Sequence, residues 1–150
     1  MLKLSIFLVG LLLTSMPGAY ELDQHLWQER LLILAAPSAE DPDLQRQRAA
    51  VRERQDAIVD RDLRVFELVA GRGWRDGEPL GAADAAALRT RFAIDRDART
   101  MILVGLDGGE KRRASLDTDL RELFVQIDGM PMRRADMRAK RAAGETVTDP

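Results

Sequence analysis

The sequence contains no cysteine and a single histidine, His25, among its 150 residues. The lack of cysteine excludes disulfides, thiol redox chemistry, a cysteine nucleophile and a thiolate metal site. One imidazole cannot build a histidine-based zinc site. Aromatic residues make up only 5% of the chain, which draws attention to the two tryptophans, Trp27 and Trp74. Without disulfides, the fold must depend on its apolar core.

Basic and acidic residues are nearly balanced in number. The chain has 23 basic and 25 acidic residues and a net charge of −2, which argues against nucleic acid as a partner, since that role needs a basic surface. Apolar residues make up 45% and charged residues 32%, typical of a globular domain rather than a disordered chain. The length fits one domain.

Residues 1–19 have the pattern of a secretory signal peptide. Lys3 precedes an apolar stretch from Leu4 to Leu13, and small residues lead to a plausible cleavage point after Ala19. The stretch is short for a membrane span of about 20 residues. An uncleaved anchor and a buried N-terminal helix are the alternatives. The sequence thus predicts an exported protein, periplasmic or secreted, with one domain over 20–141 and a flexible tail over 142–150.

Hydrophobic patterning predicts four strands and three helices. The strands are Leu31–Ala36, Leu63–Val69, Thr100–Leu106 and Glu110–Ser115. The helices run from Asp41 to about Asp60, from Ala82 to Phe92, and through Leu120, Leu123, Phe124 and Ile127 with Asp117 as a cap. The stretch from Gly71 to Gly81 holds four glycines and a proline and is predicted to be a loop.

The order β-α-β-α-β-β-α predicts an α/β domain. We expect the first three strands to be parallel, with right-handed crossovers, and the fourth to be antiparallel because the turn at Asp107-Gly108 is tight. The spatial order would be 2-1-3-4. By analogy with the order of these elements, the predicted fold is a thioredoxin-like three-layer sandwich with a four-stranded mixed sheet.

Three segments resemble the bacterial exported family called domain of unknown function 4174. They are Leu26-Trp27-x-x-Arg30, Gly105-x-Asp107-Gly108-Gly109 and Met130-Pro131-Met132-Arg133-Arg134. A similar domain occurs in some animal secreted matrix proteins. The resemblance implies a thioredoxin-like fold and export. It implies no catalytic residue, because the family has no established activity.

In thioredoxin-like folds the active centre follows the first strand, at the start of a helix. Here that place reads Pro37-Ser38-Ala39-Glu40-Asp41-Pro42 and has no thiol. A pair of Ser38 with His25 is conceivable, but the expected roles are a helix cap for Ser38 and a surface position for His25. A small periplasmic enzyme using carboxylates near Glu40 and Asp41 is the alternative function. We predict no cofactor and no metal.

The preferred function is a non-catalytic binding or interaction module with a protein partner in the cell envelope. Its candidate surface is Trp74, Arg133, Arg134 and Arg138. Trp74 lies between arginines in the glycine-rich stretch, whereas the three arginines belong to a basic segment that also contains methionines. We expect one of the adjacent arginines to pair with an acid such as Asp128 and the other to face a partner. Trp27 is expected in the core.

Cleavage of the signal peptide can be tested by mass. Protein isolated from its native envelope should lack residues 1–19, and because only Lys3 among them is charged, its net charge should be −3. Intact-mass spectrometry measures the loss directly. A full-length mass recovered from the membrane fraction would show instead that the segment is retained as an anchor.

Overall fold

A computed structural model describes residues 22–150, and the predicted signal peptide lies outside them. The described residues begin with a short 3₁₀ helix, Leu22–His25. The strands are β1 (Arg30–Ala36), β2 (Leu63–Val69), β3 (Arg72–Arg75), β4 (Glu78–Pro79), β5 (Thr100–Val104) and β6 (Glu110–Ser115). The helices are α1 (Pro42–Glu53), α2 (Gln55–Asp60), α3 (Ala82–Arg91), α4 (Leu120–Asp128) and α5 (Pro131–Ala142).

The strands form one mixed sheet in the order β4-β3-β2-β1-β5-β6. Four consecutive strands of this sheet, β2-β1-β5-β6, have the predicted spatial order 2-1-3-4. The prediction of only four strands is wrong, because the supposed loop from Gly71 to Gly81 contains β3 and β4. Ala70-Gly71 and Asp76-Gly77 have positive φ at both residues, which is the geometry of tight hairpin turns that match strand twist.

The direction of β5 also differs from the prediction. β5 runs antiparallel to β1, with Thr100 beside Ala35 and Val104 beside Leu31, whereas β1 and β2 are parallel as expected. Residues 92–99 lead from α3 to the end of the sheet where β1 finishes. A strand that starts there can only run back along β1, so three consecutive parallel strands are not formed.

Both faces of the sheet are covered, which confirms the expected layers of helix, sheet and helix. Every residue of β1 is buried, as its uninterrupted apolar run indicates. Its side chains alternate between two cores. Leu32 and Leu34 belong to the core that includes Phe124 of α4, whereas Leu31 and Ile33 belong to the core beneath α3.

The helix starts and ends follow local chemistry. The Asp41 carboxylate accepts hydrogen bonds from the backbone amides of Asp43 (2.9 Å) and Leu44 (3.2 Å), which confirms this N-cap. The single predicted helix from Asp41 to Asp60 is wrong, since it is interrupted at Arg54 between α1 and α2. The cap of α4 is Asp119 rather than Asp117.

Helix α5 is attached to the rest of the domain by ion pairs around two buried arginines, here called the α5 ion network. The network consists of Arg61, Arg133, Lys140, Asp60, Asp128 and Asp136. Arg133 is 1% exposed and contacts all three carboxylates, at 2.5 Å from Asp60, 3.1 Å from Asp128 and 2.7 Å from Asp136. Arg61 is 0% exposed and pairs with Asp128 at 2.5 Å.

The network favours the ionised form of Asp60 despite its partial burial. Burial would raise the pKa of Asp60, but hydrogen bonds from Arg133, Lys140 and Thr148 outweigh it and hold that pKa well below its usual range. Thr148 donates to Asp60 through both its amide and its hydroxyl group. This contact links residue 148 to α2, and the flexible tail over 142–150 stays a prediction.

The two adjacent arginines of α5 should differ in their effect on stability. Arg133→Ala removes the buried cation that Asp60, Asp128 and Asp136 share and should lower the free energy of unfolding by about 3 kcal/mol. Arg134 is exposed, so Arg134→Ala should change it by no more than about 0.5 kcal/mol. Urea denaturation of both variants measures the difference. Equal effects would contradict the structural role of Arg133.

Candidate functional site

A pocket opens at the end of the sheet where β1 begins and β5 ends, here called the Trp27 pocket. Its volume is about 320 Å³, near the lower end of small-molecule sites. Three chain segments and one strand residue line it: Trp27 and Arg30, then Gly105 to Asp107, then Met130 to Met132, with Lys111 of β6. The lining is mainly apolar, with few charged groups, as expected of a binding pocket.

Trp27 is 65% exposed, so the expectation that it lies in the core is wrong. The chain turns sharply after the 3₁₀ helix, where the His25 carbonyl accepts hydrogen bonds from the amides of Gln28 and Glu29. The Trp27 amide donates to the carbonyl of Leu106 at 2.6 Å. Its φ of 62° is left-handed, a conformation that costs a residue other than glycine about 1–2 kcal/mol. With this backbone conformation, a large apolar side chain is left exposed.

The second wall of the Trp27 pocket is the junction between α4 and α5. Pro131 occupies the first turn of α5, where its missing amide hydrogen costs nothing. Met130 packs partly against the core, and Met132 is 53% exposed. Arg133, the next residue, is fixed by the α5 ion network. The network therefore positions the methionines on either side of Pro131.

The turn between β5 and β6 forms the third side of the Trp27 pocket. At Gly105, a Cβ atom would collide with the side chain of Lys111, so this glycine makes room for the lysine to lie across it. The Lys111 Nζ atom is 2.6 Å from the Asp107 carboxylate. That ion pair satisfies the lysine charge at the pocket rim.

Arg30 lies at the base of the Trp27 pocket and is 3% exposed. One guanidinium nitrogen donates to the carbonyl of Arg61 at 2.8 Å. Its Nε atom has no hydrogen-bond partner, and no carboxylate lies within ion-pair distance of Arg30, in the part of the chain that the structure describes. Burial lowers the pKa of Arg30, partly opposed by nearby acids such as Asp62.

The thioredoxin-like position lies at the opposite end of β1. There Asp41 is buried, caps α1 and pairs with Arg99 at 3.2 Å, and Arg99 also reaches Asp43 at 2.5 Å. These carboxylates already have partners, and Glu40 is exposed.

Ser38 and His25 are separated by the whole length of β1, a strand of about 20 Å, so the structure does not bring them together. His25 is not on the surface, contrary to expectation. It is 6% exposed, lies 2.6 Å from Glu29 and meets the ring of Phe66 edge-on at 5.8 Å.

The candidate surface predicted from the sequence is dispersed. Trp74 lies on β3 and packs partly against the core. Arg133 is buried in the α5 ion network and is not available to a partner, and its contact with Asp128 is the one expected for the structural arginine. Arg134 and Arg138 are exposed on α5.

The sheet order and the covering helices define a thioredoxin-like α/β domain. Residues 21–136 match the family described as Domain of unknown function (DUF4174), and the chain belongs to that family. No curated protein matches the sequence. A solved structure of Plasmodium yoelii Prx1a modified at the N-terminus is similar at 11% identity and a TM-score of 0.49, over 85% of this chain and 83% of that one. A similarity this distant carries no functional conclusion.

Among residues 22–150, no helix is both long and apolar enough to cross a membrane. Nor do three or more histidine or carboxylate side chains come together among them in a way that could hold a metal ion.

The Trp27 pocket was not predicted from the sequence, although the motifs that form its lining are recognisable there. The three segments that carry the family resemblance, around Trp27, Asp107 and Met132, each contribute to its lining. They are far apart in sequence, and only the antiparallel course of β5 and the return of α5 bring them to one end of the sheet.

The two tryptophans should contribute differently to stability. Trp27→Asn should change the free energy of unfolding by no more than about 0.5 kcal/mol, because the side chain is mostly exposed and asparagine tolerates the left-handed backbone. Trp74→Asn should lower it by about 2 kcal/mol, because that ring packs against the core. Thermal and urea unfolding provide the comparison. A larger loss for Trp27→Asn would show that Trp27 is chiefly structural.

Proposed function

We propose that the mature chain is an exported, redox-inactive thioredoxin-like domain that binds a ligand in the Trp27 pocket and catalyses no reaction. Redox inactivity follows from the absence of cysteine, since no thiolate is available for disulfide exchange or peroxide reduction. Export rests on the signal-peptide pattern of residues 1–19. The binding role rests on the pocket.

The observation that carries the binding role is the exposure of Trp27 and Met132 on two sides of one pocket. Tryptophan offers a large rigid apolar face, and methionine adapts its shape to an apolar partner. Trp27 also has a left-handed backbone conformation, which is more unusual for a bulky side chain than for the four smaller residues that share it.

The alternative, an enzyme based on Glu40 and Asp41, has less support. Asp41 is engaged as the cap of α1 and as the partner of Arg99. A general acid or base needs a carboxylate that is free to exchange a proton near neutral pH.

The solvent face of α5 is a second candidate contact surface, for an anionic partner in the envelope. Arg134, Arg138 and Arg141 are exposed and recur at i, i+4 and i+7, so they share one face of the helix. None of the three forms an ion pair within residues 22–150. A stripe of unpaired cations attracts negatively charged surfaces through long-range electrostatics, an effect that salt weakens.

Binding in the pocket can be tested with the uncharged dye N-phenylnaphthylamine, whose fluorescence rises in apolar surroundings. We expect one saturable site, and Trp27→Asn and Met132→Ser should each weaken binding about tenfold, which corresponds to about 1.4 kcal/mol. Val125→Ser is the matched control, because Val125 is a 60% exposed apolar residue of α4 outside the pocket lining.

The control variant should bind the dye as the wild type does. Binding that is not saturable, or that all three variants reduce equally, would overturn the proposed site in favour of general surface hydrophobicity.

A further inference from the structure

The Trp27 pocket contains one buried positive charge that no carboxylate balances. In the α5 ion network, the carboxylates of Asp60, Asp128 and Asp136 are taken up by Arg61, Arg133 and Lys140, three charges of each sign. Arg30 lies beside this network, bonded to the carbonyl of Arg61, and is a fourth cation. A buried charge without a counter-charge is costly, so an anion at this place would be stabilised.

The other charged groups around the pocket do not balance Arg30. Lys111 and Asp107 neutralise each other at the rim. The exposed Asp62 carboxylate acts on Arg30 only through space, while the hydrogen bond between these residues joins the Arg30 amide to the Asp62 carbonyl. The buried Nε atom of Arg30 still lacks an acceptor among residues 22–150.

We propose that the ligand of the Trp27 pocket is a small amphipathic monocarboxylate. Its carboxylate accepts hydrogen bonds from the guanidinium group of Arg30, and its apolar body lies between Trp27 and Met132. Arginine is suited to this role because its planar fork matches the two oxygens of a carboxylate. The inference deepens the proposed binding function and rests on it.

The pocket volume favours a small ligand. At about 320 Å³ it lies near the lower end of small-molecule sites, and it is partly open to solvent, so a ligand can extend beyond it. A saturated carboxylate of eight carbons is small enough to enter it. A helix of a partner protein or a whole phospholipid is too large to be enclosed.

The sign of the ligand charge can be tested with three probes of equal chain length: octanoate, octanol and octylammonium. Each is titrated against the wild-type protein carrying bound N-phenylnaphthylamine at neutral pH. We expect octanoate to displace the dye at a concentration about tenfold lower than octanol, and octylammonium to be the weakest. Octanol equal to or stronger than octanoate would overturn the inference.

Arg30→Gln then identifies the charge responsible. This variant should lose the preference for octanoate over octanol, whereas Arg52→Gln, which removes an exposed charge from α1 outside the pocket lining, should keep it. Circular dichroism checks that Arg30→Gln is folded, and the comparison of probes on the wild type stands without it. A preference that survives in folded Arg30→Gln would also overturn the inference.

The two levels of the proposal fail in different ways. If the dye itself finds no saturable site, the proposed binding function is wrong. If the dye binds and Trp27→Asn weakens it, but the three probes compete equally, the pocket stands and the monocarboxylate is wrong.

Discussion

The ion pairs between Arg133 and three aspartates are the contacts on which the candidate site depends most. Arg133 itself is buried, its partners Asp60 and Asp128 join α5 to α2 and α4, and it follows directly after Met132. A buried network of this kind adds little net free energy compared with an apolar core, but removing one member is costly. Here its geometric consequence matters more, because it fixes the junction around Pro131 as one wall of the Trp27 pocket. Arg30 lies beside it and has no carboxylate within ion-pair distance among residues 22–150.

The two ends of β1 differ in how far their polar groups have partners. At the end where a thiol would lie, the carboxylates of Asp41 and Asp43 are occupied by backbone amides and by Arg99. At the other end, an exposed Trp27 with a left-handed backbone lines an apolar pocket together with buried Arg30, whose Nε atom has no hydrogen-bond partner among residues 22–150. A left-handed tryptophan and an unpaired buried donor therefore meet at one pocket, and backbone strain is common at binding sites.

Much of the fold could be predicted from the sequence, because its signals are local. The apolar run of β1, the cap at Asp41 and the amphipathic spacing of α4 each have one physical interpretation. The hairpin of β3 and β4 was also signalled by Asp76-Gly77, a turn pair that was overlooked among the other glycines. The direction of β5 could not be predicted, because it depends on the path of residues 92–99. The burial of Arg133 and the exposure of Trp27 depend on which segments meet in space, and the pocket follows from both.

Amide chemical-shift mapping with octanoate tests the central claim, that the ligand site lies at the start of β1 rather than at the thioredoxin-like position. The account predicts the largest shifts over residues 27–30, 105–107 and 130–132, with residues 38–43 unchanged, in the same saturable titration. The largest shifts at residues 38–43, or shifts spread along the solvent face of α5, would contradict it.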